Sequence, residues 1–203
     1  MKPGVWHWQA PHPEWAAPKD WTQTDVSSYA IDDGQRLLLF DPLGVPAEIE
    51  DLASNREPLI VLTCPWHRRD TRALAEQHGW PIHVPPPDPP DPDPVEGQVF
   101  EAGQRLPLGI EAILGMEPND LLLWVGGHRA LVAGDTLVDR GEGLVFPLDW
   151  ADRVTGEPPQ KILGRLRDLL ELPIELVLPT HGAPADREAL ERALAGDLGI
   201  SGS

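Results

Sequence analysis

The sequence has one cysteine, Cys64, so no disulfide can form within it, and a reducing cytoplasm is the expected compartment. No apolar run approaches the roughly 20 residues needed to cross a bilayer. The opening stretch "MKPGVWHWQAPHPEW" has no apolar core of the kind a signal peptide carries, so none is expected. Basic residues are scarce: 16 Lys+Arg against 33 Asp+Glu give a formal net charge of −17. That balance argues against nucleic acid and anionic membrane surfaces as partners, because both are bound through basic patches.

What is abundant is proline, at 24 residues, and tryptophan, at 8 against a single tyrosine. Prolines favour extended connections over long helices. Four tryptophans (Trp6, Trp8, Trp15 and Trp21) fall within residues 1–27 among prolines and polar residues. The segment reads as an irregular arm whose indoles lie on the body, either as packing or as a wall shared with a second chain. Residues 28–203 show no second composition zone and are read as one domain, long enough for a real core.

Along that domain, "SSYAIDDGQRLLLFDP" places Asp33-Gly34 between two apolar runs, the signature of a hairpin. Residues 45–55 and the stretch from Asp70 to Gly79 read as short helices. "EPLIVLT" (57–63) reads as a strand covered on both faces, and "PIHV" (81–84) as a further short strand. "PPPDPPDPDP" (85–94) is an acidic, polyproline-like surface spacer. From 98 to 138 the chain is strand-rich. Residues 158–172 carry Ile162, Leu163, Leu166, Leu169 and Leu170 on one helical face. "IELVLPTHG" is a strand with its exit loop, 185–196 is a final helix, and the tail is expected to fray. This order predicts an α+β fold: a four-layer αββα sandwich whose core strands include 37–40, 60–62, 121–124, 131–133 and 176–178.

Three loops share one design, in which an apolar strand ends directly in polar residues: "LIVLT-CPWHRRD", "ALVAG-DTL" and "ELVLP-THG". Loops beyond the carboxyl ends of strands commonly gather ligands. Their meeting would assemble Cys64, Trp66, His67, Arg68, Arg69, Asp70, Asp135 and His181 in one cleft. His128 is excluded, since four or five residues of strand place it on the order of 15 Å from Asp135. His7 and His12 belong to the arm, and His83 is read as structural.

In these stretches the chain resembles the metallo-β-lactamase fold superfamily. The resemblance implies the αββα sandwich and a site of one or two metals, usually zinc or iron, that activates water for hydrolysis; some members do redox chemistry instead. It implies a His-x-His-x-Asp-His motif after the "VLT" strand, a middle His, an Asp in Gly-Asp and a late His before Gly. Asp135 fits the Gly-Asp place, as the carboxylate that would bridge the metals, and His181 fits the last place. Cys64 and Trp66 stand at the two leading His places, Arg68 at the Asp place, Arg69 at the next His place, and Met116 at the middle His place. A guanidinium has no lone pair to donate and repels a cation, which argues against an ordinary dinuclear centre.

A shift of one residue offers His67, Asp70, Asp135 and His181 as a single zinc or iron site. Against it, Asp70 also reads as a helix cap, and His67 as a side chain bound to a backbone carbonyl. Cys64 is a candidate nucleophile with His67 or His181 as base, against the simpler reading of a buried thiol. The favoured reading is a protein whose metal site has decayed, without cofactor, acting as a pseudoenzyme or binder of a small molecule. In it Arg68 or Arg69 stands in for the cation beside Asp135. The alternatives are a single-metal hydrolase of an ester, thioester or lactone, with Asp135, His181 and His67 catalytic, and an interaction module, such as a homodimer, using the tryptophan-rich arm.

Overall fold

A computed structural model describes residues 1–12 and 24–195. Trp15, Trp21 and the tail "DLGISGS" lie outside the described residues. The first sheet has six strands in chain order: β1 (Val5–Pro11), β2 (Asp25–Asp32), β3 (Arg36–Phe40), β4 (Glu57–Val61), β5 (Ile82–Val84) and β6 (Gln98–Val99). The first three pair antiparallel, and β3 to β6 run parallel. Helices α1 (Ala47–Ala53) and α2 (Thr71–His78) make two of the parallel crossovers.

The second sheet begins with β7 (Arg105–Leu106), β8 (Ile110–Leu114), β9 (Leu121–Val125) and β10 (Ala130–Val132). A short hairpin follows, of β11 (Val138–Asp139) and β12 (Leu144–Val145), and then helices α3 (Leu148–Val154) and α4 (Pro159–Leu166). Strands β13 (Leu176–Leu178) and β14 (Ala185–Asp186) complete the sheet, in the order β14-β13-β10-β9-β8-β7, and α5 (Arg187–Ala195) closes the described chain.

Side-chain alternation explains the layering. Along β3, Leu38 and Phe40 face the second sheet, where they join Leu121, Leu123, Val132 and Leu178 in one buried cluster. Leu37 and Leu39 face the other way, onto Ile49 and Ala53 of α1. Along β9, Leu122 and Trp124 face Ile162, Leu163, Leu166 and Leu190 of α4 and α5. Strands buried on both faces must be apolar at every position, which is why "RLLLF" and "LLLWV" show no polar alternation. The result is the αββα sandwich, and each of the five expected core runs lies in a strand or at its end.

Three local expectations are corrected. The described part of the N-terminal segment is not irregular, because Val5–Pro11 pairs residue for residue with β2. Trp6 and Trp8 are half-buried on the α1 side of that sheet, and the Trp8 indole donates to the Leu43 carbonyl at 2.8 Å. A strand of alternating aromatic and polar residues there looks irregular only because prolines flank it. Residues 158–172 are not one helix: α4 ends at Leu166, and a tighter 3₁₀ turn spans Arg167–Glu171. Helix α3 was not anticipated; "LDWADRV" has only one fully buried residue, Ala151, and so no clear helical stripe.

Candidate functional site

Parallel pairing sets the site. β3 and β4 run parallel, with Phe40 opposite Val61, and β10 and β13 run parallel, with Val132 opposite Leu178. Their carboxyl ends therefore open in pairs. Asp41 follows β3, Thr63 and Cys64 follow β4, Asp135 follows β10, and Thr180 and His181 follow β13. The backbone N–H of Leu121 donates to the Thr63 carbonyl at 2.8 Å and joins the two sheets at this rim.

His67 sits at the centre and is buried. Its Nδ1 lies 3.2 Å from Asp41 Oδ2 and 3.1 Å from Thr63 Oγ1. Its Nε2 lies 3.3 Å from Asp135 Oδ1, and His181 Nε2 is 3.3 Å from the same oxygen. Asp135 also accepts from Thr180 Oγ1 at 3.2 Å and, at Oδ2, from the Trp66 indole N–H at 2.9 Å. The rings form a series: Trp66 is edge-on to His67 (6.4 Å between centroids), His67 to His181 (6.3 Å), and Trp150 to His181 (5.8 Å).

Burial drives the His67 pKa down, but the carboxylates of Asp135 and Asp41 outweigh it and lift the value to about 9. For Asp135, burial works against the charge, yet the attraction of His67 and the hydrogen bonds from both histidines hold it well below the usual carboxylate range. Burial and the neighbouring charge of Asp135 push Asp120 up to about 8. Burial, followed by the charges of Asp135, Asp41 and Asp120, raises the Cys64 thiol well above its ordinary value. Such a thiol is a poor nucleophile.

The expected cleft residues divide. Cys64, Trp66, His67, Asp135 and His181 come together. Asp70 stands at the N-cap of α2 without making a side-chain cap, and its carboxylate accepts from the Gly44 N–H at 2.7 Å, so it does not join His67. Met116 packs with Leu122 and Leu131 in the core behind the second sheet. Neither arginine neutralises Asp135. Arg69, at a positive φ of 40°, directs its guanidinium to the carbonyls of Ser27 (2.8 Å) and Asp41 (2.6 Å). Arg68 donates to Asp91 Oδ2 at 2.8 Å. Both guanidiniums are engaged away from Asp135, and His67, directly before Arg68, is the side chain that reaches it, at 3.3 Å.

Asp41 and Asp120 were not foreseen. Asp120 accepts from Thr136 Oγ1 (2.7 Å) and from the Asp135 N–H (3.3 Å). Both carried the signal used for Asp135: an acid abutting a wholly apolar strand, "LLLF-D" and "D-LLLWV".

The model of the metallo-beta-lactamase superfamily matches residues 60–181, which hold every residue of this cluster except Asp41. The chain belongs to the metallo-beta-lactamase superfamily. Solved superfamily-like structures share its fold. DIM-1 metallo-beta-lactamase has a TM-score of 0.68 at 15% identity, over 96% of this chain and 93% of that one. TTHA1623, solved in a di-iron-bound form, has 0.61 at 22% identity, over 83% and 93%. A metallo-beta-lactamase from Pontibacter korlensis has 0.65 at 15% identity, over 96% and 95%. No curated protein matches the chain.

Two metals fit these residues poorly. At the places where the resemblance puts ligands stand an indole N–H, two guanidiniums turned elsewhere and a core methionine, and none of them offers a lone pair on nitrogen or a carboxylate. A single ion fits better. Ligand atoms of Cys64, His67 and Asp135 lie within 4.8 Å of one another. The 3.3 Å separations from Asp135 Oδ1 to both histidine nitrogens match the edge of a tetrahedron with metal–ligand bonds of roughly 2.0–2.1 Å.

Proposed function

We propose that this superfamily member has given up metal-dependent hydrolysis and keeps the cleft as a binding site, its cation replaced by a protonated His67. One observation carries the reading: each ring nitrogen of His67 faces a buried carboxylate, Asp41 at 3.2 Å and Asp135 at 3.3 Å. Only a ring protonated at both nitrogens donates to both. One imidazolium then donates to both buried acids and offsets part of their charge without a metal, where an unpaired buried carboxylate would be costly. Beside the cluster stand two indoles, the exposed Trp66 and the partly buried Trp150, with the Arg140 guanidinium 4.6 Å above the Trp150 ring and paired with Asp149 at 3.1 Å. Aromatic surfaces of this kind suit a small, flat or apolar molecule.

A second reading is favoured by the Cys64–His67–Asp135 grouping: one zinc or iron held there with His181. Bound, the ion would polarise a carbonyl or acidify a water. In this reading Asp41 orients the His67 ring through Nδ1, the arrangement common behind metal-bound histidines. Four protein donors, however, make the closed set typical of structural sites rather than the open one of catalytic sites.

Metal analysis of protein prepared without chelators or affinity metals, paired with nitrogen NMR of His67, separates the two. The first reading expects well under one zinc or iron per chain, protons on both His67 nitrogens at neutral pH, and no chelator-sensitive hydrolysis of esters, thioesters or lactams. One metal per chain, lost together with hydrolysis on chelation, would overturn it.

A further inference from the structure

We propose that Ser27, on β2, is the positioning residue of His181, and that His7, on β1, fixes the direction of the Ser27 hydroxyl. Neither belongs to the three strand-end loops that the sequence singles out. The inference rests on taking the cluster around Asp135 as the functional site, and it adds two side chains to that site.

Residues 179–182 lie between β13 and β14, outside the sheet ladder, so their carbonyls need partners elsewhere. All four have one, and three are held from β2. The Tyr29 hydroxyl donates to the Pro179 carbonyl at 2.7 Å, the Ser27 N–H to the Thr180 carbonyl at 2.9 Å, and the Ser27 hydroxyl to the Gly182 carbonyl at 2.6 Å. The carbonyl of His181 itself accepts from the Asp139 N–H at 2.8 Å. Ser27 therefore grips the chain on both sides of His181, before it by the backbone and after it by the side chain. Gly182 has a φ of +94° and no side chain of its own. The bond to its carbonyl restrains this pliant residue directly beside His181, whose Nε2 lies 3.3 Å from Asp135 Oδ1.

Burial points the same way. Ser27 alternates with Tyr29 and Ile31 along one face of β2, and those two join the apolar cluster between the sheets. Ser27 is itself fully buried, where a hydroxyl is costly unless it is bonded. Packing alone asks for no hydroxyl there.

Counting protons brings in His7. A serine hydroxyl has one proton, and the 2.6 Å separation from the Gly182 carbonyl, a pure acceptor, places it on that bond. His7 Nε2, 2.9 Å from Ser27 Oγ, must then donate, as must Gln9 Nε2 at 3.3 Å. The His7 ring is stacked on Tyr29, with 5.0 Å between centroids and 20° between planes, so the residue that holds Pro179 also steadies the donor. In the other tautomer a bare Nε2 would compete with Gly182 for the Ser27 proton and release the loop.

The test uses the full chain without added metal or ligand, its histidine rings labelled for nitrogen NMR. In the wild type, above the titration of His7, the ring proton is expected on Nε2. A bare Nε2 would overturn the proposal, because the Ser27 proton would then point to His7. Ser27→Ala should move the His181 ring signals by several linewidths or split them, while the chain still melts in one cooperative step. Ser27→Thr, which keeps the hydroxyl, should bring them back toward the wild-type positions. Unmoved His181 signals in Ser27→Ala would overturn the proposal. Equal displacement in the alanine and threonine variants would overturn it too, since the effect would then be one of packing. Should the alanine chain fail to fold, the His7 tautomer decides alone. All these signals report ring placement, so they stand or fall apart from the metal content and His67 protonation that decide the proposed function.

Discussion

The indole N–H of Trp66 donates to Oδ2 of Asp135 at 2.9 Å, so the carboxylate at the centre of the cluster is held from the loop after β4 by a donor with no lone pair to offer a cation. A hydrogen bond to an ionised acceptor is worth roughly 1.5–3 kcal/mol. Trp66→Phe keeps the ring over His67 and removes the donor. The expected result in urea denaturation is a loss of about 1–3 kcal/mol, with no gain in bound metal. An unchanged midpoint would show that solvent replaces the indole at no cost.

Removing one partner of the His67–Asp41 pair leaves the other buried without its counterion. Asp41→Asn should cost about 3–5 kcal/mol, because Asp41 also accepts from the Thr63 N–H and hydroxyl at 2.9 and 2.6 Å. The double variant Asp41→Asn/His67→Gln should lose less than the sum of the two single changes. Additive losses in a double-mutant cycle would deny the coupling.

Gly182 follows His181 at a φ of +94°, and a Cβ built there would lie 2.2 Å from the Asp139 carbonyl oxygen and 2.6 Å from its Cβ. Gly182→Ala therefore meets both backbone strain and a clash with main chain. The expected penalty is at least about 3 kcal/mol, with the His181 ring displaced from Asp135. A melting temperature within a degree of wild type would contradict the local geometry.

Asp32 receives two hydrogen bonds from Arg56, at 2.8 and 3.0 Å, which outweigh burial and hold its pKa below the ordinary 3.8. Its folded pKa is lowered, so its contribution is present above the unfolded value and is lost as pH falls through the folded one. Arg56→Gln should lower stability slightly at neutral pH. The difference from wild type should close as the pH drops below 3.8. A difference independent of pH would assign the effect to packing.

The layers of the sandwich were legible because burial on both faces leaves a plain mark: "RLLLF", "LIV", "LLLWV" and "LVL" can be little else but interior strands. The site was legible only in part. Asp135 and His181 announced themselves as polar residues at strand ends, and Asp41 and Asp120 sent the same signal unread. The arginines misled because charge type was weighed without the partners within reach. The partners that draw both guanidiniums away, Asp91 for Arg68 and the carbonyls of Ser27 and Asp41 for Arg69, are invisible in "WHRRD". The Arg68–Asp91 pair was hidden for a similar reason: the two lie 23 positions apart, and nothing local in either stretch names the other.

The bonds that close the sandwich at the site rim reach across most of the chain. Tyr29 donates its hydroxyl to the Pro179 carbonyl at 2.7 Å, and the Ser27 N–H donates to the Thr180 carbonyl at 2.9 Å. A nascent chain on the ribosome therefore makes all six strands of its first sheet long before the residues that cap β2 have been made. Until then the Tyr29 hydroxyl lacks its acceptor, and Asp135 lacks two of its partners, Thr180 and His181. A stop codon placed ahead of Pro179 would thus injure the N-terminal sheet as surely as the C-terminal one, and a truncated product should be cleared as unfolded rather than persist as a half-molecule.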